Sequence, residues 1–126
     1  MIGQVSTSDK KGGSVRVVFP DRDDLVSGEL PVITWGGWGR GNAVPEPGET
    51  VLCVFLDISR SSGYCLGTYY GSEDKLPGTA EQHGIWFEDG SYAYYDRATK
   101  TINLKAASGV RIDGNLHVTG TITSRG

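Results

Sequence analysis

Residues 111–126 read RIDGNLHVTGTITSRG, and this stretch decides the architecture of the chain. Counting from Val110, every second residue is apolar or glycine apart from Ser124, and the residues between them are all polar. A period of two residues is typical of a β-strand with one buried face. The pattern therefore predicts a strand that buries one face along its whole length.

A second period, of six residues, is superimposed on the period of two. Glycine recurs at every sixth position, and two series of large apolar residues recur with the same spacing. The members are Gly114, Gly120 and Gly126; Val110, Leu116 and Ile122; and Ile112 and Val118. Glycine within a strand often marks a bend or a close approach of two backbones. We therefore predict a repeating six-residue unit with glycine at such positions.

The apolar face needs partners from outside the chain. Its register extends back to Ile102 and spans 25 residues, whereas strands in compact domains usually have about 3–10. Burying its large side chains is worth roughly 10–20 kcal/mol per chain, and an isolated ribbon leaves its hydrogen bonds open. We predict that three identical chains wind around one axis. The axial side chains are Ile102, Leu104, Val110, Ile112, Leu116, Val118 and Ile122.

Other arrangements of the tail fit this pattern less well. A two-chain ribbon leaves an open edge, whereas three chains that close a triangular prism leave none along its length. A monomeric β-solenoid needs coils that close within one chain, and usually more of them. A disordered tail is a further alternative, although strict alternation argues against it.

The preceding sequence predicts an all-β protein with many turns. Nineteen glycines and five prolines separate short runs rich in Val, Ile, Thr, Tyr and Trp. The run 50–57 is apolar on both faces, so we expect one face to line a barrel and the other to be covered by a loop, a domain or another subunit. The five predicted strands of a small sandwich or barrel are 2–7, 14–20, 28–35, 50–57 and 64–71.

The composition divides the chain into three segments. Residues 1–72 form the predicted barrel, residues 73–84 a polar linker, and residues 85–126 a β-stalk. Within the stalk, turns at 88–91 and 96–101 separate strand-like runs. An aromatic cluster is predicted to form a collar where barrel meets stalk, in preference to a surface that stacks sugars or bases. The collar residues are Trp86, Phe87, Tyr92 and Tyr94.

The charge, the absence of long apolar runs and the cysteines restrict the partners and the cellular compartment expected for the protein. The net charge is −3, and residues 1–72 carry six basic and eight acidic side chains, which disfavours nucleic-acid binding. No apolar run reaches the roughly 18 residues of a membrane span, and no signal-peptide core is present, so we expect synthesis in a cytosol. We expect Cys53 and Cys65 to be buried free thiols, with Cys53 nearer to Thr68 than to Cys65 across a hairpin.

The sequence offers little support for catalysis. It has no Gly-x-Ser-x-Gly or His-Glu-x-x-His motif. Asp21, Asp23 and Asp24 lack the spacing of an EF-hand calcium loop, and the glycine-rich segment 36–41 has no following helix to hold a phosphate. We expect His83 to be exposed or structural. The prediction is a protein without catalytic residues, cofactor or metal.

The order of short motifs in residues 17–67 is distinctive. A Val-x-Phe strand, an Asp-rich turn, Ser-Gly-x-Leu-Pro-Val, Pro-x-x-Gly-Glu-x-Val-Leu and Gly-x-x-Leu-Gly follow one another, and residues 89–122 continue with the repetitive stalk. This order resembles the baseplate assembly protein V family, the central spikes of contractile phage tails and related injection machines. The resemblance implies an N-terminal five-stranded OB-fold barrel followed by a short intertwined triple-stranded β-helix in a homotrimer.

The resemblance also implies a function and partners. The chain would be the structural central spike of a tail baseplate, in a virion or an equivalent injection particle. Its barrel would attach to a baseplate hub protein, and sheath contraction would drive the spike into transient contact with the target cell envelope. Many spikes of this family end in His-x-His and bind axial iron. Here His117 lies on the outward face, so we expect no axial metal and a separate PAAR-type tip protein at the C-terminal end.

Two other functions compete with the spike. A trimeric receptor- or sugar-binding tail fibre component also explains a stalk, but residues 110–126 contain no aromatic residue to contact a sugar. A lone OB-fold nucleic-acid-binding module needs a positively charged groove with stacking aromatics. The acidic barrel lacks that excess of positive charge, and such a module leaves the alternating tail without a role.

Overall fold

A computed structural model describes residues 1–59 and 61–125. The protein is all-β with antiparallel sheets, as predicted, and its described residues contain no α-helix. In the same residues, no helix has the length and apolar character that crossing a membrane requires. The chain divides into two compact units, Met1–Asp74 and Lys75–Gly126.

The first unit is one sheet that closes on itself. Its hydrogen-bonded order is β3-β2-β1-β5-β6, and β4 also pairs with β2. Just after β4, Val32 forms a parallel bridge with Cys65, and the Ile33 N–H donates to the Cys65 carbonyl oxygen at 3.0 Å. The strands are β1 (Ile2–Asp9), β2 (Ser14–Phe19), β3 (Leu25–Val26), β4 (Leu30–Pro31), β5 (Thr50–Phe55) and β6 (Gly63–Thr68).

The third predicted strand, over 28–35, is wrong in its bounds. Within this range only β4 is a strand, and β3 lies before it, because Ser27 interrupts the pairing of this segment with β2. The Val17 N–H donates to the Ser27 hydroxyl oxygen at 3.0 Å, and the Ser27 N–H donates to the Val17 carbonyl oxygen at 2.8 Å. A side chain thus occupies one position of the backbone pairing.

The interior of the closed sheet is a small apolar core. Alternation along the strands turns one face of each inward, and the Phe19 ring meets Phe55 edge-on with ring centroids 5.5 Å apart. A Cβ at Gly3 would lie 2.6 Å from the Val17 side chain, so this position requires glycine. The core residues, all at most 3% exposed, are Val5, Val15, Val17, Phe19, Leu30, Val51, Cys53 and Cys65.

Cys53 and Cys65 are both buried and both free, as predicted. The predicted register, with Cys53 nearer to Thr68, is wrong, because the two cysteines lie directly opposite each other. The turn lies earlier in the chain than the predicted register implied. Asp57 holds it there, because its carboxylate accepts hydrogen bonds from the Ser61 hydroxyl at 2.8 Å and the Ser61 N–H at 3.2 Å. The Ser61 hydroxyl is also the main cause that lowers the pKa of Asp57.

The second unit begins with a three-stranded antiparallel meander of β7 (Gln82–Trp86), β8 (Tyr92–Asp96) and β9 (Thr101–Lys105). Strand β7 starts inside the predicted linker 73–84, which is therefore shorter than expected. Between β7 and β8, the Gly90 N–H donates to the Phe87 carbonyl oxygen at 3.1 Å, and Gly90 has a φ of +89°. A glycine at positive φ is typical of a three-residue hairpin loop.

Beyond β9 the chain turns and then continues without pairing to any other described strand. The Gly109 N–H donates to the Ala106 carbonyl oxygen at 3.1 Å, so the unbroken register predicted from Ile102 onward is wrong at this turn. The tail, residues 110–125, bends at Gly114 and again at Gly120, in agreement with the six-residue spacing. The third predicted bend, at Gly126, lies outside the described residues.

Candidate functional site: uncovered apolar surfaces

One face of the β7–β9 sheet is apolar and exposed. Ile85 lies opposite Ala93, which lies opposite Leu104, and Tyr95 lies opposite Ile102 in the next row. Because alternate residues share a face of a sheet, these side chains form one surface, which we call the apolar face. Its large members are between 45% and 73% exposed. This face includes Ile102 and Leu104, two of the predicted axial residues.

The other predicted axial residues lie in the tail. Every residue from 110 to 125 is exposed, and none of them hydrogen bonds to another described residue. A Cβ added at Gly114 or Gly120 would have nothing within 4 Å. A single chain therefore provides, within its described residues, neither cover for the apolar side chains nor backbone partners. The tail members are Val110, Ile112, Leu116, Val118 and Ile122, at 42–73% exposure.

Three of the four predicted collar residues cluster on the opposite face of the same sheet. Trp86 and Tyr94 stack with ring centroids 5.2 Å apart and planes 13° apart, and Tyr92 lies 5.0 Å from Tyr94. We call this cluster the aromatic face. Lys105 places its ammonium 5.8 Å from the centre of the Tyr92 ring, a cation–π contact. Phe87 belongs to the hairpin turn and is 55% exposed.

Two glycines allow the aromatic face to pack. Gly84 lies opposite Tyr94, and a Cβ there would lie 2.2 Å from the Ala93 carbonyl oxygen. A Cβ at Gly78 would lie 2.5 Å from the Trp86 ring. Trp86 thus packs against Tyr94 and the loop at Gly78 and is partly buried, so the aromatic face contributes to packing of the sheet.

Asp96 connects the ends of the meander. Its carboxylate accepts hydrogen bonds from the Gln82 side-chain amide at 3.1 Å and from the Ala98 N–H at 2.9 Å. The hydrogen bond from Gln82, followed by those from the backbone of the turn, lowers the pKa of Asp96. The ionised carboxylate is therefore the form that the folded sheet favours.

This lowered pKa predicts acid sensitivity of the second unit. The contribution of Asp96 is complete above its unfolded pKa of about 3.9 and is lost as the pH falls through its folded value. We expect the melting temperature to decrease from about pH 5 to about pH 3 less in Asp96→Asn than in the wild type. Circular dichroism at several pH values measures this. An Asp96→Asn profile identical to that of the wild type would contradict the prediction.

The barrel carries a second exposed apolar surface. Strand β5 turns Val51 and Cys53 inward and leaves Leu52, Val54 and Leu56 at 38%, 46% and 66% exposure on the outside. Ile2 lies opposite Leu52 on the neighbouring strand and is 51% exposed, so the surface extends across the sheet. The predicted cover for this outer face does not come from within the described barrel.

The remaining sequence features form no chemical centre in the part of the chain that the structure describes. His83 and His117 are both exposed. In residues 1–59 and 61–125, no three His, Cys, Asp or Glu side chains are grouped to hold a metal ion. Asp23 and Asp24 adopt positive φ of 58° in an exposed turn. Trp38, in the glycine-rich segment 36–41, is fully exposed.

Sequence reasoning missed Ile85 and Tyr95 as members of the apolar face. Part of the signal was present, because neighbouring residues of a strand lie on opposite faces, which separates Ile85 from Trp86 and Tyr95 from Tyr94. Which of these residues share a face across the hairpin can be assigned only once the register of the hairpin is known.

In comparisons with known proteins, no family model matches the chain and no curated protein matches it significantly.

Proposed function

We propose that this protein is a structural, non-enzymatic spike that assembles as a homotrimer at the centre of a contractile-tail baseplate. The observation that carries the proposal is the tail. Its alternating apolar side chains are exposed, and its backbone makes no hydrogen bonds to other described residues. Three tails wound around one axis satisfy both needs at once, because each supplies strand partners to the others and all apolar faces point inward.

The bends in the tail fit a three-sided arrangement. Gly114 and Gly120 are one repeat apart, and each lies at a bend with open space beside its Cα. In a triangular prism, a chain changes direction at each corner, and a residue without a side chain allows close approach of the neighbouring backbone. The apolar face of β7–β9 would begin the axial core through Ile102 and Leu104.

The strand order supports an OB-fold for the first unit. Strands β1, β2 and the β3–β4 segment form a meander, the residue after β4 pairs parallel to β6, and β5 lies between β6 and β1. This is the order of a five-stranded Greek-key barrel in which the third and fifth strands are neighbours. In the proposed spike this barrel attaches to the hub protein, and its exposed apolar surface at β5 is suited to contact with another subunit.

The proposed function is mechanical. An intertwined prism has no free strand edge and no flat interface that shear can separate, so it transmits axial force. Sheath contraction would drive the spike against the target cell envelope, with a PAAR-type protein completing its tip. No step requires a cofactor, a metal or nucleic acid. The location would be the tail of a virion or an equivalent injection particle.

The assembly is tested by the mass in solution. We expect light scattering on a size-exclusion column to give three times the chain mass of 13.5 kDa. A chain that ends at Gly109 should elute as a monomer, because it lacks the tail. A stable monomer of the full chain at micromolar concentration would contradict the proposal.

The position of the protein in the injection particle distinguishes a central spike from a fibre component. Antibodies against the barrel, applied to purified injection particles and imaged by electron microscopy, should label the axis of the baseplate. Labelling at the periphery would identify a fibre component instead, and would leave the trimer intact while overturning the spike.

A further inference from the structure

Two buried thiols face each other inside the barrel. Cys53 on β5 lies directly opposite Cys65 on β6, and the two residues are 1% and 0% exposed. Their backbone polar groups point away from each other. The Cys53 N–H donates to the Met1 carbonyl oxygen at 2.7 Å, and the Cys65 carbonyl oxygen accepts from the Ile33 N–H at 3.0 Å. Cys53 and Cys65 therefore form a non-hydrogen-bonded pair of the antiparallel ladder.

Such a pair has the geometry that a disulfide requires. The Cα atoms of a non-hydrogen-bonded pair are about 4.5 Å apart, and disulfides usually join Cα atoms about 4.4–6.8 Å apart. Both side chains belong to the same buried core, and the two residues are direct cross-strand partners. A bond between the sulfurs therefore needs little movement of either strand.

We propose that Cys53 and Cys65 form a cross-strand disulfide, so that the barrel exists in a reduced and an oxidised form. The oxidant is a small disulfide such as oxidised glutathione. One protein thiolate attacks it, breaks its S–S bond and releases one glutathione thiolate. The second protein thiolate then attacks the mixed disulfide, forms the Cys53–Cys65 bond and releases the second. Two protons and two electrons pass from the protein to two glutathione molecules.

Exchange with glutathione requires local opening of the barrel beside the pair. Cys53 lines an open pocket of about 460 Å³ together with Phe55 and Asp57, but both cysteines are at most 1% exposed in the closed barrel. The hydrogen bond with Cys53 lowers the pKa of Cys65 to about 7. The same hydrogen bond, together with burial, raises the pKa of Cys53. One thiolate thus forms more readily than in an isolated buried cysteine, and the other thiol stays protonated beside it.

The disulfide would link β5 and β6 covalently next to the place where the sheet closes. Strand β6 also carries the bridge to Val32 that closes the sheet, so the link would hold β5, β6 and β4 together. A cross-link restricts the unfolded chain, and we expect the melting temperature of the barrel to rise by roughly 5–15 °C on oxidation. This inference concerns the first unit alone and does not depend on the proposed function.

The test uses the full chain refolded in two glutathione buffers, one oxidising and one reducing. Trypsin cleaves after Arg60, so a disulfide should join peptides 41–60 and 61–75 in the oxidised sample, and the intact mass should fall by two hydrogens. Addition of a reductant should separate the peptides and reverse the rise in melting temperature. The variant Cys65→Ala should show neither the linked peptides nor a melting temperature that depends on the buffer.

The peptide map keeps the test decisive even if Cys65→Ala fails to fold, because it is read on the unaltered chain. Free thiols or glutathione adducts at both cysteines of the folded protein in the oxidising buffer would overturn the proposal. Linked peptides found only in species joined between two chains, separated on a non-reducing gel, would also overturn it. Failure of the chain to form trimers would leave this result unaffected.

Discussion

Replacing Val118 with Asp is expected to abolish the trimer and leave a monomer of 13.5 kDa in light scattering. In the proposed assembly, three carboxylates would meet on an apolar axis, and burying unpaired charges costs several kcal/mol for each one. In a single chain, Val118 is 42% exposed and the tail makes no hydrogen bonds to other described residues, so the substitution costs the monomer little. The expected effect is therefore on association and not on folding of the barrel.

Thr119→Asp is the matched control. It introduces the same charge one residue later, on the face that alternation turns outward. We expect this variant to remain a trimer with a melting temperature close to that of the wild type. A stable trimer of Val118→Asp would show that the assigned inward face is wrong, and dissociation of both variants would show that the tail does not separate two faces.

Replacing Leu30 with Ala is expected to destabilise the barrel by about 2–5 kcal/mol. Leu30 is 0% exposed and lies on β4, the short strand that closes the sheet. Removing its side chain leaves a cavity beside the seam, where few backbone hydrogen bonds resist opening. The free energy of unfolding, measured with urea in the monomeric Val118→Asp background, reports this loss without a contribution from dissociation.

Leu25→Ala provides the comparison for Leu30. It removes the same atoms from the neighbouring strand β3, where Leu25 is 39% exposed. We expect it to cost about 1 kcal/mol or less, because much of its side chain already contacts water. Equal costs for the two variants would mean that the barrel interior is not organised around Leu30.

Alternation predicted which residues of a barrel strand share a face. That Val51 and Cys53 lie on one face follows from the period of two residues, but β5 is apolar on both faces, so the sequence alone left open which face lines the interior. The register between β5 and β6 also stayed open, because it depends on the hydrogen bonds that Asp57 accepts from Ser61. The break at Ser27 has a similar cause, since a side chain there competes with the backbone ladder.

The apolar face of the stalk was predicted in part. Ile102 and Leu104 were identified because their alternation is regular, whereas Ile85 and Tyr95 are surrounded by other aromatic residues that hide the period. The hairpin loop decides which of these residues share a face, and its register follows from the positive φ of Gly90. A glycine in a short loop is compatible with several loop lengths, so sequence alone left this choice open.

The six-residue spacing of the bends at Gly114 and Gly120 bears on how such a tail changes length during evolution. Six is an even number, so duplication or loss of one repeat leaves every following side chain on its original face and adds or removes one bend. Insertion of a single residue exchanges the two faces from that point to the C terminus. Selection for reach can therefore lengthen or shorten the tail in whole repeats, while the residues that direct assembly stay unchanged.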